Sequence, residues 1–128
     1  MGENIVAYID RMKNQMVESL GQLIGFPAIS PHDGGIGEVE KARFIAKLLL
    51  EKGLPEAEWH NAPDEKAPEK YRPNLIVRIP GRTKKRLWII THMDVVPEGD
   101  STLWNTSPFK ASIKDGRIFG RGSSDNGQ

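Results

Sequence analysis

Apolar residues recur every three to four positions through two segments of this chain, which is the spacing of a helix that buries one face. The first segment extends from Asn4, a favourable N-cap, to Gly25. Its apolar positions are Ile5, Ile9, Met12, Met16, Leu20 and Leu23. The second segment carries apolar residues at helical spacing from Val39 to Leu49 and ends at Gly53. The pattern predicts two amphipathic helices, separated by a loop rich in proline and glycine.

Two continuous apolar runs, residues 75–79 and 87–90, follow the predicted helices. Runs of this kind are typical of strands that are buried on both faces of a sheet, and the polar segment between them suits a hairpin connection. Residues 58–60 are predicted to form a short edge strand, and residues 61–73, rich in Pro, Glu and Lys, an exposed loop. Asp115 and Gly116, which separate two further short strands, predict a type I′ hairpin.

The predicted elements form an α/β layer that is incomplete. A sheet that is buried on both faces needs helices on both faces, and two helices are too few to supply them. The sequence therefore predicts that structure from outside this chain covers the sheet. If the 128-residue chain is produced alone, its uncovered apolar face and strand edge predict self-association or marginal solubility.

Composition narrows the classes of partner and of metal ligand. The chain is 38% hydrophobic and 27% charged with a formal net charge of +1, so it has no basic surplus for a nucleic acid or an anionic membrane. No apolar run approaches the roughly 20 residues that span a bilayer. Because the N-terminus also lacks the features of a signal peptide, we expect a cytoplasmic protein. The absence of cysteine leaves His, Asp and Glu as the metal ligands.

Candidate chemistry lies in residues 88–97 and 120–126. His92 and Asp94 follow an apolar run and are two residues apart, so on a strand both side chains project from one face. They would lie at the strand exit, where open α/β sheets bind their ligands. Gly120 and Gly122 allow backbone conformations that other residues avoid, and so aim Asp125 at a fixed point. The residues leave two interpretations open: half of a metal site, or a structural histidine hydrogen-bonded to a carboxylate.

In their order and spacing, motifs along nearly the whole chain resemble those of the dinuclear-zinc aminoacylases, deacylases and exopeptidases. This family includes acetylornithine deacetylase, succinyl-diaminopimelate desuccinylase, dipeptidases and the glutamate carboxypeptidases. The matching positions are 27–31, Glu40, 91–97, Trp104, 108–109 and 115–125. The resemblance implies a three-layer α/β/α catalytic domain like that of the zinc exopeptidases, with residues 1–128 as its N-terminal portion. The rest of that domain, and a lid or dimerisation domain, would lie beyond Gln128.

The resemblance also assigns roles to three residues. It implies that His92 ligates one metal ion, that Asp125 bridges two, and that Asp94 is a catalytic residue that holds the ring of His92. A ligating imidazole usually donates its other N–H to a carboxylate, and one carboxylate can ligate two cations about 3.5–4 Å apart. The resemblance further implies a cis peptide between Asp125 and Asn126. The family often has lysine where this chain has Gly127, a departure that bears on the subfamily more than on the metal role.

By this resemblance we expect a peptidase or N-acyl-amino-acid deacylase that cleaves an amide bond with a zinc-activated water. Two zinc ions are expected in the full-length protein, with cobalt or manganese as alternatives. The expected substrate is a dipeptide or an N-acyl amino acid, with no nucleic-acid or membrane partner, and the expected assembly is a homodimer. The general base and most of the metal ligands would lie beyond Gln128, so we expect the chain alone to be inactive.

Two other functions remain open from the sequence. One is a non-catalytic α/β interaction module that keeps the scaffold without the site, and the other is a mononuclear metal-binding domain completed by a partner chain. Further acidic and histidine side chains are expected to be bystanders on or near surface elements. These are Glu38, Glu40, Glu56, Glu58, His32 and His60.

Overall fold

The computed structural model describes residues 4–125, and the chain divides into two compact units. We call Met1–Pro27 with Glu98–Gln128 the terminal unit and Ala28–Pro97 the central unit. Within the described residues the helices are α1 (Ile5–Ile24) and α2 (Val39–Glu51). The strands are β1 (Glu58–Trp59), β2 (Ala62–Pro63), β3 (Tyr71–Arg72), β4 (Leu75–Ile76), β5 (Ser112–Lys114) and β6 (Arg117–Phe119). His92 and Asp94 belong to the central unit, and Asp125 belongs to the terminal unit.

Both helices lie where the apolar spacing predicts them. The side chain of Asn4 accepts a hydrogen bond from the backbone N–H of Val6, which satisfies one of the unpaired donors at the start of α1. Gly25 follows the last residue of α1, and Gly53, at φ 82°, follows α2 in the left-handed conformation that favours glycine. Within residues 4–125, no helix is both long enough and apolar enough to cross a membrane.

The hairpin of the terminal unit confirms the turn signal. β5 and β6 are antiparallel, with Ile113 opposite Ile118. Asp115 and Gly116 connect them with φ values of 52° and 72°. A type I′ turn needs positive φ at both central residues, which is why this dipeptide predicts it from the sequence alone.

The central unit contains two short antiparallel ladders. β1 pairs with β4 and confirms the predicted edge strand, whereas β2 pairs with β3 inside the segment that we predict to be a loop. That expectation is wrong at residues 62–63 and 71–72. The turn between β2 and β3 is closed because the backbone N–H of Asp64 donates to the carbonyl of Lys70, and the Asp64 side chain accepts from Lys66. Strands of two residues are too short to produce an alternating pattern, so the sequence does not reveal them.

The two apolar runs differ from the prediction. Only Leu75–Ile76 of the first run forms a strand, and it pairs with β1 instead of with residues 87–90. In the described part of the chain, residues 87–90 belong to no strand, and Leu87 and Ile89 are 88% and 86% exposed. The predicted hairpin and the burial on both faces are therefore not found here. An apolar run becomes a buried strand only where neighbouring strands and covering helices exist, and residues 4–125 supply neither to this run.

Candidate metal centre

His92 and Asp94 lie side by side, as their spacing predicts. The Nδ1 atom of His92 is 3.1 Å from Oδ1 of Asp94 and 3.0 Å from the Asp94 carbonyl oxygen. Both side chains are partly exposed. When Nδ1–H donates to the carboxylate, the lone pair of the neutral ring is on Nε2, the nitrogen that is then suited to ligate a metal.

The backbone is anchored one residue after this pair. The N–H of Val95 donates to the carbonyl of Ala28 at 2.9 Å, and Ile29 forms an isolated parallel bridge with Val95. Ala28 and Val95 are both buried. The pair is thus positioned by a single buried bridge instead of by the end of a long strand, although its two side chains still meet as predicted.

Asp94 contacts an ion pair between Arg72 and the buried Glu38. Arg72 donates through Nη2 to Oδ2 of Asp94 at 3.2 Å, and through Nε to Oε2 of Glu38 at 3.2 Å. Nη2 also donates to the second oxygen of Glu38. The Glu38 side chain is only 5% exposed, so the expectation that it lies at the surface is wrong. Nothing in the spacing points to Arg72, because its partners lie 34 and 22 residues away in sequence.

Lys41 adds a second cation to this part of the central unit. It is buried in the first turn of α2, and this burial lowers the pKa of its ammonium group, because desolvation penalises the charged form. The negative charge of Asp94 acts in the opposite direction and raises the pKa of Lys41. Asp94 therefore interacts with two cationic side chains, Arg72 and Lys41.

The glycine loop before Asp125 is held tightly within the terminal unit. A Cβ at Gly120 would lie 2.6 Å from Cγ2 of Ile24, so only glycine fits beside the end of α1. Gly122 has a φ of 79°, a conformation that favours glycine. Asp125 follows in an exposed turn. The cis peptide that the resemblance implies after Asp125 involves Asn126, which lies outside the described residues.

Arg121 connects this loop to the segment that contains Trp104. Its Nη2 donates to the carbonyl of Glu98 at 3.1 Å, and its guanidinium lies 5.2 Å from the centre of the Trp104 ring. The indole N–H of Trp104 donates to the same carbonyl at 3.0 Å. These contacts give Trp104 a structural role in the loop.

The other two histidines have carboxylate partners of their own. Nε2 of His32 is 3.2 Å from Asp64, and Nε2 of His60 is 3.4 Å from Glu58. Both rings are about half exposed. Glu58 also accepts from Arg78 at 2.7 Å, and Glu40 pairs with Arg43 on the surface of α2.

The nitrogen and oxygen donors of the predicted site suit a divalent transition-metal ion. An imidazole nitrogen with its ring held by a carboxylate, together with a carboxylate oxygen, suits zinc, cobalt or manganese. A closed zinc site takes about four ligands. Among residues 4–125, however, no group of three or more His, Asp or Glu side chains could hold a metal ion. The described residues therefore fit part of a metal site.

These segments are similar to a peptidase family and to proteins named metallohydrolase. Residues 88–128, which contain His92, Asp94 and Asp125, match peptidase family M20/M25/M40. Over 119 residues the chain is 42% identical to a protein of Methanococcus maripaludis named uncharacterized metallohydrolase, covering 88% of this chain and 28% of that protein. A protein of the same description from Methanocaldococcus jannaschii is 43% identical over 108 residues, covering 81% and 26%.

Enzymes with a named substrate also match. The chain is 35% identical over 107 residues to the succinyl-diaminopimelate desuccinylase of Rickettsia bellii, covering 83% of this chain and 25% of that enzyme. The chain thus spans about a quarter of the length of the curated relatives it matches.

Proposed function

The chain belongs to peptidase family M20/M25/M40, and from that premise we propose that it is the N-terminal portion of the catalytic domain of a metal-dependent amidohydrolase. In the whole protein this domain has the three-layer α/β/α architecture that the resemblance implies. The metal is zinc, as two ions, with cobalt or manganese as alternatives. A cytoplasmic location and a homodimeric assembly belong to the same proposal.

The observation that carries this proposal is the hydrogen bond between His92 Nδ1 and Asp94, at 3.1 Å. Asp94 holds the imidazole so that Nε2 is presented as a ligand, and Asp125 supplies a carboxylate from the glycine loop. The bound metal would activate a water molecule and polarise the carbonyl of the substrate. His92 and Asp125 are then ligands, and Asp94 orients the ring and tunes its basicity.

The names of the relatives support a substrate class for the whole protein. Those in the bacterial group are named succinyl-diaminopimelate desuccinylases, so they remove a succinyl group from an amino acid. We propose an N-acyl amino acid or a dipeptide as the substrate of the whole protein. Both present an amide bond beside a carboxylate, and cleavage of that bond is the reaction that the proposed metal chemistry performs.

The proposal predicts that the 128-residue chain alone is inactive and self-associates. His92 and Asp125 are too few ligands for a closed zinc site, so zinc binding by the isolated chain should be weak. The exposed residues 87–90 present apolar side chains and backbone groups that belong to no strand, and such surfaces associate. Sedimentation combined with zinc titration tests both points, and a monomer that binds zinc tightly would contradict them.

The decisive experiment uses the whole protein. It is stripped of metal with a chelator, reloaded with zinc, cobalt or manganese, and assayed against N-succinyl and N-acetyl amino acids and dipeptides. We expect hydrolysis that is lost on stripping and restored by metal, in wild type and in the control variant His60→Ala but not in His92→Ala. A protein that folds, binds no metal and cleaves none of these amides would favour the non-catalytic interaction module. Binding of one metal ion only with a partner chain would favour the mononuclear domain.

A further inference from the structure

We propose that Arg72 and Glu38 are positioning residues for His92, and that they act through Asp94. This deepens the proposed function and rests on it for the metal at His92. All four residues belong to the central unit. The sequence pattern singles out neither Arg72 nor Glu38 as a positioning residue. The two oxygens of Asp94 have different partners.

One carboxylate oxygen of Asp94 faces His92 and the other faces Arg72. Oδ1 is 3.1 Å from Nδ1 of His92, and Oδ2 accepts from Nη2 of Arg72 at 3.2 Å. A carboxylate on a single bond to Cβ can rotate, and rotation would move the acceptor away from the imidazole. The bond from Arg72 opposes that rotation, so the direction in which the carboxylate faces His92 depends on where the guanidinium is held.

Glu38 holds the guanidinium. It accepts from both Nε and Nη2 of Arg72, which is the two-pronged geometry that only arginine offers to a carboxylate. The Glu38 side chain is 5% exposed, and a buried carboxylate that loses its cationic partner strongly destabilises the fold. Arg72 therefore cannot leave Glu38 at low cost, and its contact with Asp94 is fixed by the same constraint.

The place of Glu38 in the fold supports this role. Glu38 immediately precedes α2, the position where a side chain usually accepts hydrogen bonds from the first turn of the helix. Its side chain makes no such capping bond and is directed to Arg72 instead. Arg72 lies in β3, opposite Ala62 of β2. The ion pair thus connects the start of a helix to a strand, whereas His92 lies in neither a helix nor a strand.

The test compares Arg72→Gln, Arg72→Lys and Glu38→Gln in the whole protein, with Arg78→Gln as the matched control. Like Arg72, Arg78 donates two hydrogen bonds to a glutamate. That glutamate is Glu58, which lies on the surface. The first measurement is the zinc dissociation constant, by competition with a chelator. We expect Arg72→Gln to weaken zinc binding about tenfold, the low end for an outer partner of a metal ligand. Arg72→Lys keeps the positive charge but not the paired donors of the guanidinium, so it should weaken zinc binding less than Arg72→Gln does. Arg78→Gln should leave zinc binding unchanged.

The second measurement separates positioning from a general loss of structure. The ring nitrogens of His92 are observed by ¹⁵N NMR in the metal-free whole protein, and their shifts report which nitrogen carries the proton. In wild type we expect the proton on Nδ1, and in Arg72→Gln and Glu38→Gln a larger share on Nε2, with His32 and His60 unaltered. An unaltered His92 in both variants would overturn the proposal. If Arg72→Gln does not fold, Glu38→Gln, which keeps the size of the side chain and one accepting oxygen, carries the test.

A double-mutant cycle identifies the route of the effect. If Arg72 acts through Asp94, Arg72→Gln should weaken zinc binding in wild type but not in the Asp94→Ala background. An equal loss in both backgrounds would overturn the route through Asp94. Failure of the proposed function looks different, because a whole protein without amidohydrolase activity can still show the His92 proton shift. Conversely, an active enzyme whose Arg72 variants bind zinc normally would leave the function standing and the positioning role refuted.

Discussion

The central unit contains two histidine–carboxylate pairs with the same sequence separation, and they differ in what lies behind the carboxylate. Glu58 and His60 form one pair at 3.4 Å, and His92 and Asp94 form the other at 3.1 Å. Each carboxylate also accepts from an arginine. By spacing and residue type the two pairs are nearly equivalent, so the two-residue separation by itself gives no reason to prefer one.

The two pairs differ in the exposure and the partners of their arginines. Arg78, beside Glu58, is 59% exposed, so its ion pair is hydrated and of small energetic weight. Arg72, beside Asp94, is 33% exposed and is fixed by the buried Glu38. The ring contacts differ as well, because His60 meets its carboxylate through Nε2 and His92 through Nδ1. The two pairs therefore share their local geometry, and they differ in whether the carboxylate is connected to a buried group.

Replacement of each histidine in the whole protein should give the largest difference between the two pairs. We expect His92→Ala to lower metal affinity by more than about 100-fold, above the range for an outer partner, and to abolish hydrolysis. Asp125→Ala should do the same, whereas His60→Ala and His32→Ala should do neither. Elemental analysis of the purified variants and an amide hydrolysis assay check this. A loss of metal in His60→Ala as large as in His92→Ala would mean that the site is wrongly assigned.

Removing each carboxylate gives the next largest difference. Asp94→Ala should lower metal affinity or activity about 10–100-fold, because the imidazole loses the group that fixes its orientation. Glu58→Ala, the matched change in the surface pair, should stay within experimental error of wild type. Chelator competition and steady-state kinetics measure both. Equal effects of the two substitutions would remove the distinction between the pairs.

The stability of the protein should depend on pH through Lys41, which interacts with Asp94 and has no counterpart described beside Glu58. Burial lowers the folded pKa of Lys41 below its ordinary value of 10.5, so the folded state disfavours the charged ammonium group. This cost is present in full below the lowered pKa and disappears as the pH rises from that value to 10.5. Wild type should therefore gain stability relative to Lys41→Met over this window. Denaturant unfolding of the metal-free protein at a series of pH values measures it, and parallel curves for the two proteins would contradict the effect.

The smallest expected effect belongs to the surface pair. Hydrogen bonds from Arg78 hold the pKa of the Glu58 carboxyl below its ordinary value of 4.5, with His60 contributing in the same direction. The pair therefore stabilises the fold above about pH 4.5 and loses this contribution as the pH falls through the lowered pKa. In Arg78→Gln the pKa of Glu58 should move up towards 4.5, as followed by NMR titration, with metal affinity unchanged. A pKa that stays at the wild-type value would show that Arg78 is not its cause.

Local signals in the sequence predicted the elements that depend on neighbouring residues. The cap at Asn4, the helical spacing up to Ile24 and the Asp115-Gly116 turn each act within a few positions, and the structure confirms them. The contact between His92 and Asp94 is of the same kind, since its members are two positions apart. The resemblance to the zinc hydrolases rested on the order of such short motifs, and the family match confirms it.

Tertiary structure alone decided the partners of those elements. Residues 75–79 and 87–90 are both mainly apolar, yet only Leu75–Ile76 pairs with another strand, because pairing and burial need other segments to be in place. The contacts of Arg72 with Glu38 and Asp94 span 34 and 22 residues, a distance over which periodicity and turn chemistry carry no information. The sequence by itself therefore determined the local geometry of His92 and Asp94. The tertiary structure placed the ion pair of Arg72 with the buried Glu38 beside Asp94. Only a folded chain brings such distant charges within hydrogen-bonding distance and shields them from water.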